Sequence, residues 1–383
     1  MAHHLVGTLT LTSHARQTSP HQPTPGESAT IKTHILDAHG IRREVPFITG
    51  NSLRGNLRRY ASDIILDALF DKGHQVPRQI FQILTRGAES RDGIGITPTA
   101  AAMVESARHV FAGLYGGGPY MISSRYSIGA CMPQIAWCER FLHQRLRDRM
   151  IPADRLSAQN REGNLYDLPL TTKIILAPRG DISAEKGQKY IENYQVSMDE
   201  WLQAVAEGRA AKADAKAAAR EAKERGEKAP TDAPAARSVD TANFTLQECM
   251  LPGTPLQFWM RFKPQATQAQ IGLMLMAVKN WANANVLGGN SSQGFGRFEA
   301  NLSLLDDNVV IAENIFGAGD HATSYTLSSA TQPYVAAALQ EIGDVTLDQL
   351  KAVFPYEAVN EKKAEKKAKA EKKASNANGA AGA

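Results

Sequence analysis

The chain has 383 residues, 43% hydrophobic and 21% charged, ordinary proportions for a soluble globular protein with room for one large domain or two smaller ones. Its net charge of +4 is matched by the seven lysines and three glutamates between Glu361 and Lys373, so the remainder sums to zero and total charge argues nothing about nucleic acid. Cys131, Cys138 and Cys249 do not suit a disulfide framework and show no paired zinc-ligand spacing, so they read as reduced thiols with no structural metal.

No apolar run reaches the roughly 18 residues that a membrane span needs. Met1–Leu5 lacks the basic-then-apolar pattern of a signal peptide, and the expected location is cytoplasmic.

Val6–Thr12 alternates apolar and polar residues, as a half-buried strand does. His14–Ala29 is rich in Pro, Ser, Thr and His and reads as a long exposed loop, before a short strand over Ile31–Leu36. An amphipathic helix is expected from about Ser52 to Phe70, with Asn51 or Ser52 as its N-cap. Residues 76–106 are weakly patterned and read as an insertion with a turn-rich part at Arg91–Gly95. Tyr115–Pro119 is a break.

A strand is expected over Ser127–Gln134, a helix over Trp137–Met150 and a strand over Thr171–Leu176. From Asp199 to Pro234 the chain turns Ala/Lys-rich and reads as a solvated helix or flexible insert, not core. Phe244–Met250 and Leu256–Phe262 flank a turn as a hairpin or a pair of core strands. Ile271–Asn283 is an amphipathic helix, and Phe298–Leu304 a strand. The order strand, helix, strand, strand, helix, strand suggests an α+β ferredoxin-like (RRM-like) core with insertions near 76–106 and 156–240.

Two segments carry chemistry. Pro46–Arg59 runs from a strand through Gly50 into a helix start, where unpaired N–H groups and the positive dipole end favour an anion. Asn51, Ser52 and Arg54 add donors there, and Gly55 allows close approach of another backbone. Gly288–Arg297 holds four glycines in nine residues, a loop able to lay main-chain N–H groups against phosphates. It follows a helix and precedes a strand, and no phosphate-loop lysine occurs, so neither a dinucleotide nor a nucleoside triphosphate cofactor is expected. The plain alternatives are a capped helix with solvated arginines and a tight helix-to-strand turn.

Together these segments resemble the RAMP superfamily of CRISPR proteins. The match comprises Gly50–Gly55, the Gly288–Arg297 loop, Val110–Gly116 as the central Phe-Gly segment, and Glu248–Leu256 as the Glu-x-Val-Pro-x-Gly-Thr element, in the family's order. The chain is most similar to the Cas-seven-type backbone subunits of class 1 effectors, with the type IV group favoured. The resemblance implies an RRM-like palm (1–75, 107–155 and 241–330) with a fingers-like insertion at 76–106 and a thumb-like insertion at 156–240. A helical extension at 331–359 and a Lys-rich flexible tail at 360–383 would follow. It also implies copies stacked along a guide RNA (crRNA) that pairs with target nucleic acid, in company with other effector subunits and a helicase.

The RNA-binding residues carried over are Gly50, Asn51, Ser52, Arg54, Gly288, Gly289, Asn290, Ser291, Ser292, Gly294 and Arg297. Arg58 and Arg59 are further candidates, as are Ser123, Ser124 and Arg125 beside the Gly116–Gly118 turn. The rival class is an endoribonuclease that cleaves target RNA with an aspartate between the first strand and first helix, as type III relatives do. Between His14 and Leu36 the only acid is Glu27, with Asp37 just beyond and His14, His21, His34 and His39 nearby. A binding role without catalysis is therefore the expectation.

Overall fold

The computed structural model describes residues 2–20, 27–87, 97–176, 245–317 and 324–356, with scattered positions between 192 and 214. The first half contains β1 (His3–Leu11), β2 (Glu27–Ser28), β3 (Lys32–Leu36), β4 (Arg42–Pro46), α1 (Gly50–Asp71), α2 (Arg78–Arg86), α3 (Ala100–Arg108), α4 (Val110–Tyr115), β5 (Tyr126–Ile128) and α5 (Gln144–Arg147). After these come β6 (Ser157–Gln159), β7 (Leu165–Asp167), β8 (Thr171–Leu176), β9 (Thr245–Met250), β10 (Pro255–Phe262), α6 (Gln268–Ala284), β11 (Phe298–Asp306), β12 (Val309–Ala312), α7 (Gln332–Asp344) and α8 (Leu347–Val353).

Contacts divide the chain into two units. The larger comprises Met1–Pro20, Thr30–Thr172 and Cys249–Ala383, the smaller His21–Ala29 and Lys173–Glu248. In the smaller, Glu27 and Ser28 pair in parallel with Leu246 and Gln247. The expectations for Arg91–Gly95, most of 199–234 and the tail from 360 lie outside the described residues.

The larger unit is built on an antiparallel sheet of order β12-β11-β1-β10-β5. Four of its strands, β11-β1-β10-β5, have the 4-1-3-2 order of a split βαβ fold, with α1 and α6 among the connections and β12 added beyond β11. The fold is α+β with an RRM-like palm. Alternation in β1 sends Leu5, Leu9 and Leu11 into the main core, and Val6 to a small cluster with Leu146 and Leu305 on the other face.

Two amphipathic helices supply the core's second layer. α1 buries Leu53, Leu57, Ala61, Ile65 and Leu69 at four-residue spacing, and α6 buries Ile271, Met274, Leu275, Val278 and Trp281. α6 opens with a capping box in which Thr267 and Gln270 hold each other's backbone N–H. Trp281 sits between the rings of Phe258 and Phe298, at 5.8 and 4.7 Å, and its indole N–H donates to Val286 O at 2.7 Å.

Several elements differ from the sequence reading. Residues 137–150 are a 3-10 turn (Ala136–Phe141) followed by the short α5. Their apolar spacing suits a helix, but Gln257 holds the chain open between the two: Oε1 accepts from His143 N–H at 2.6 Å and Nε2 donates to Phe141 O at 3.1 Å. β9 and β10 are not a hairpin, because they pair in different sheets. Within 76–106, α2 sends Ile80, Ile83 and Leu84 into the same core as α1, so that helix is continuous with the palm.

α6 and α7 cross closely because Gly272 leaves room, where any side chain would collide with Tyr334 O and Ala338 Cβ. Gly272→Ala should therefore destabilise the protein by about 2 kcal/mol through overpacking, read as a lower urea midpoint with an unchanged slope.

Candidate nucleic-acid interface

Buried Ile48 pairs with Cys131 and delivers the chain to Thr49, which caps α1. The Thr49 hydroxyl accepts from Ser52 N–H at 3.2 Å, so the cap is Thr49 rather than Asn51 or Ser52, and the helix starts at Gly50. Thr49 is in turn clamped by the Gln17 carboxamide. Gln17 Oε1 accepts from Thr49 N–H at 2.8 Å and Nε2 donates to the Thr49 hydroxyl at 2.9 Å. Gly50 is required for fit, since a Cβ there would lie 2.8 Å from Ile128 O.

The first-turn N–H groups of Gly50 and Asn51 have no acceptor within the helix. They open on a cleft of about 450 Å³ whose polar lining includes Asn51, Arg54, Ser124, Ser127 and Lys263. No carboxylate is among the described lining residues. Arg54 donates to Tyr115 O at 2.9 Å and lies over the Tyr126 ring at 5.7 Å. Tyr126 also lines the cleft, and its buried hydroxyl has no hydrogen-bond partner among the described residues. Burial raises that phenol's pKa, against the opposing pull of Arg54 and Arg58, so it stays a neutral O–H. The assembled groups are cationic or neutral donors at a helix's positive end, a chemistry suited to phosphate.

Other sequence candidates are placed differently. Arg58 is 5% exposed and is a correction. Its guanidinium donates to Leu84 O at 2.6 Å, Ile83 O at 2.8 Å and Gly116 O at 3.2 Å, and lies over the Phe111 and Tyr115 rings. These carbonyls at the end of α2 also accept from Gly87 N–H and the Ser62 hydroxyl, so the buried Arg58 fork is spent inside the protein and does not reach a phosphate. Burial lowers its pKa to about 10, with Tyr115 and Tyr126 acting the other way, which leaves it charged at neutral pH.

Arg59 is exposed and reaches Asn56. Arg125 is turned to Gln265 O, at 2.5 Å, and to Gln270 Oε1, away from the role expected of it. Ser123 is exposed, and Ser52 does not line the cleft.

The glycine-rich loop is mainly a backbone joint. A side chain at Gly288 would strike Arg16 O and one at Gly296 would strike Leu287 O, and both residues have positive φ. Its N–H groups are largely committed: Gly289 to Arg16 O at 2.8 Å, Gly296 to His14 O at 2.7 Å and Arg297 to the Ser13 hydroxyl at 2.9 Å. The exposed apex is Ser291–Gly294, following Asn290 in the left-handed region, with Arg297 exposed beside it. Residues 13–17, with His14–Gln17 expected in an exposed loop, thus form a strap between the two motifs, and Arg16 in it is 1% exposed.

Ser127, inside β5, and Lys263, just after β10, lacked a signal in the sequence, because neither belongs to a local cluster. Asp37 is engaged within its own turn. It is 3% exposed and accepts from His39 N–H and Ile41 N–H at 2.9 Å and from Arg43 Nε at 3.1 Å, closing the β3–β4 turn. The His14 ring lies against Phe295, while His21 and the Glu27 side chain lie outside the described residues.

The chain is similar to a solved chain of a Type IV-B CRISPR complex, with 14% sequence identity over 81% of this chain and 92% of that one and a TM-score of 0.45. No protein-family model and no curated protein matches it.

Burial of Asp37 acts to raise its pKa, but the hydrogen bonds from Ile41, Arg43 and His39 outweigh it and hold the carboxyl below its ordinary value. A lowered folded pKa means the stabilisation is present above the ordinary aspartate range and is lost as pH falls through the folded value. Asp37→Asn should lower the melting temperature at neutral pH, with the difference from the parent shrinking under strong acid.

Proposed function

We propose that the chain is a guide-RNA-binding backbone subunit of a class 1 CRISPR effector complex of type IV. It would hold RNA phosphates without catalysing a reaction, with copies stacked along the guide beside other effector subunits and a helicase. The guide would then be presented for pairing with invading nucleic acid in the cytoplasm. The observation that carries this reading is the cleft at the start of α1, which gathers Asn51, Arg54, Ser124, Ser127 and Lys263 around open N–H groups with no carboxylate among its described lining residues. It is lined by part of the Gly50–Gly55 motif through which the sequence resembles RAMP proteins.

Charge order along α1 supports an external anion. Arg54 and Arg59 stand in the helix's N-terminal half and Asp63, Asp67 and Asp71 toward its C-terminal end, opposite to what the macrodipole favours. Gly55 points the same way. A Cβ at Gly55 would meet nothing within 4 Å among the described residues, so their packing does not require a glycine there. Mid-helix glycine costs about 1 kcal/mol relative to alanine. An RNA backbone lying close to this face accounts for both.

The test is binding of labelled single-stranded RNA at low salt, and absence of any retention would remove the reading. Arg54→Ala and Lys263→Ala should each weaken binding alike for all sequences and reduce the salt slope by about 1. Gly55→Ala should stabilise the fold by about 1 kcal/mol while lowering RNA affinity, an opposition that a purely structural glycine would not show. Metal-dependent shortening of a complementary RNA would instead establish the endoribonuclease.

A further inference from the structure

The turn after α4 is held on several sides. Gly116, Gly117 and Gly118 all have positive φ, at 64°, 87° and 69°. Gly117 and Ile122 exchange N–H···O bonds of 2.8 and 3.3 Å, and Gly118 N–H donates to Gly87 O at 2.9 Å. A side chain at Gly118 would meet the Phe354 ring at 2.6 Å. From beneath, buried Arg58 donates to Gly116 O at 3.2 Å. Met121 N–H then donates to Gly118 O at 3.0 Å, closing the turn over Pro119 and Tyr120.

On this rigid mount stands an unfavourable residue. Met121 has φ 51°, in the left-handed region where hairpin turns of this kind take glycine or asparagine. Its side chain is 76% exposed, the most exposed of the large hydrophobics among the described residues. Strain and exposure both argue that folding alone does not select methionine here. Ser124, three residues on, lines the anion cleft, so the Met121 Cα lies within about 11 Å of a cleft residue.

We propose that Met121 is a base-contacting wedge, laid against the nucleobases of a single strand whose phosphates occupy the cleft at the start of α1. The inference rests on the nucleic-acid reading above. A flexible, polarisable thioether suits contact with aromatic faces, and every base offers one, so the contact would add affinity without selecting sequence.

The experiment compares the full-length chain with Met121→Asn on two labelled strands of equal length, oligoadenylate and a ribose-phosphate strand lacking bases. Asparagine fits the left-handed conformation, so the melting temperature should not fall. Affinity for oligoadenylate should drop about tenfold while affinity for the base-free strand stays unchanged, and Met121→Leu should retain the parent's affinity for both. Equal affinity of Met121→Asn and parent for oligoadenylate, or equal weakening on both strands, would overturn the wedge while leaving phosphate binding intact. Failure of the parent to bind either strand would remove the nucleic-acid reading and the wedge with it.

Discussion

The candidate site depends on one strap of extended chain. Residues 13–17 meet the glycine-rich loop through Ser13, His14 and Arg16, and their last member, Gln17, grips Thr49 through both atoms of its carboxamide. Two motifs far apart in sequence are thereby held through one short segment. The geometry at Thr49 is what matters. Because the Gln17 amide donates to the threonine hydroxyl, that oxygen's remaining capacity is directed to Ser52 N–H, which leaves the Gly50 and Asn51 donors facing the cleft. The glycines at 288 and 296 serve the same end from the other side, since only residues without a Cβ let Arg16 O and Leu287 O approach so closely.

Arginines on α1 divide the labour. Arg54 faces the cleft, with one nitrogen anchored on Tyr115 O. Arg58, one turn on, faces inward and gathers carbonyls from the end of α2 and from Gly116. Burying a guanidinium is costly unless its donors are satisfied, and this one is met by several carbonyl oxygens and two aromatic faces. The inward arginine thus fixes the turn whose continuation supplies Ser124 to the cleft. Substituting lysine would keep the charge but not the planar fork that spans these acceptors.

What was legible in the sequence follows from what periodicity can encode. β1, α1, α6 and β11 carry apolar residues at strand or helix spacing, so that spacing reports their structure directly, even though α6 is buried on more than one side. Residues 137–150 have helical spacing too, but a single distant glutamine, Gln257, decides their conformation, and no local pattern carries that information. Arg16, Gln17 and Arg58 were misjudged for a related reason. Polar side chains read as solvated unless the carbonyls and hydroxyls they serve are known, and those partners lie in other elements. Lys263 and Ser127 enter the cleft only because β5 and β10 pair, which sequence spacing alone does not reveal.

The glycine-rich loop illustrates how composition and role can part. Its glycines invited the reading of a phosphate cradle, yet the N–H groups of Gly289, Gly296 and Arg297 already have acceptors within the protein. A donor so engaged would have to break a protein hydrogen bond to meet a phosphate, forfeiting most of what it gained. The open donors are instead at the start of α1, where the dipole, Arg54 and Lys263 act on the same volume without a carboxylate among the described lining residues. Open donors therefore concentrate at the helix start, and the loop contributes by holding in place the strap that shapes it.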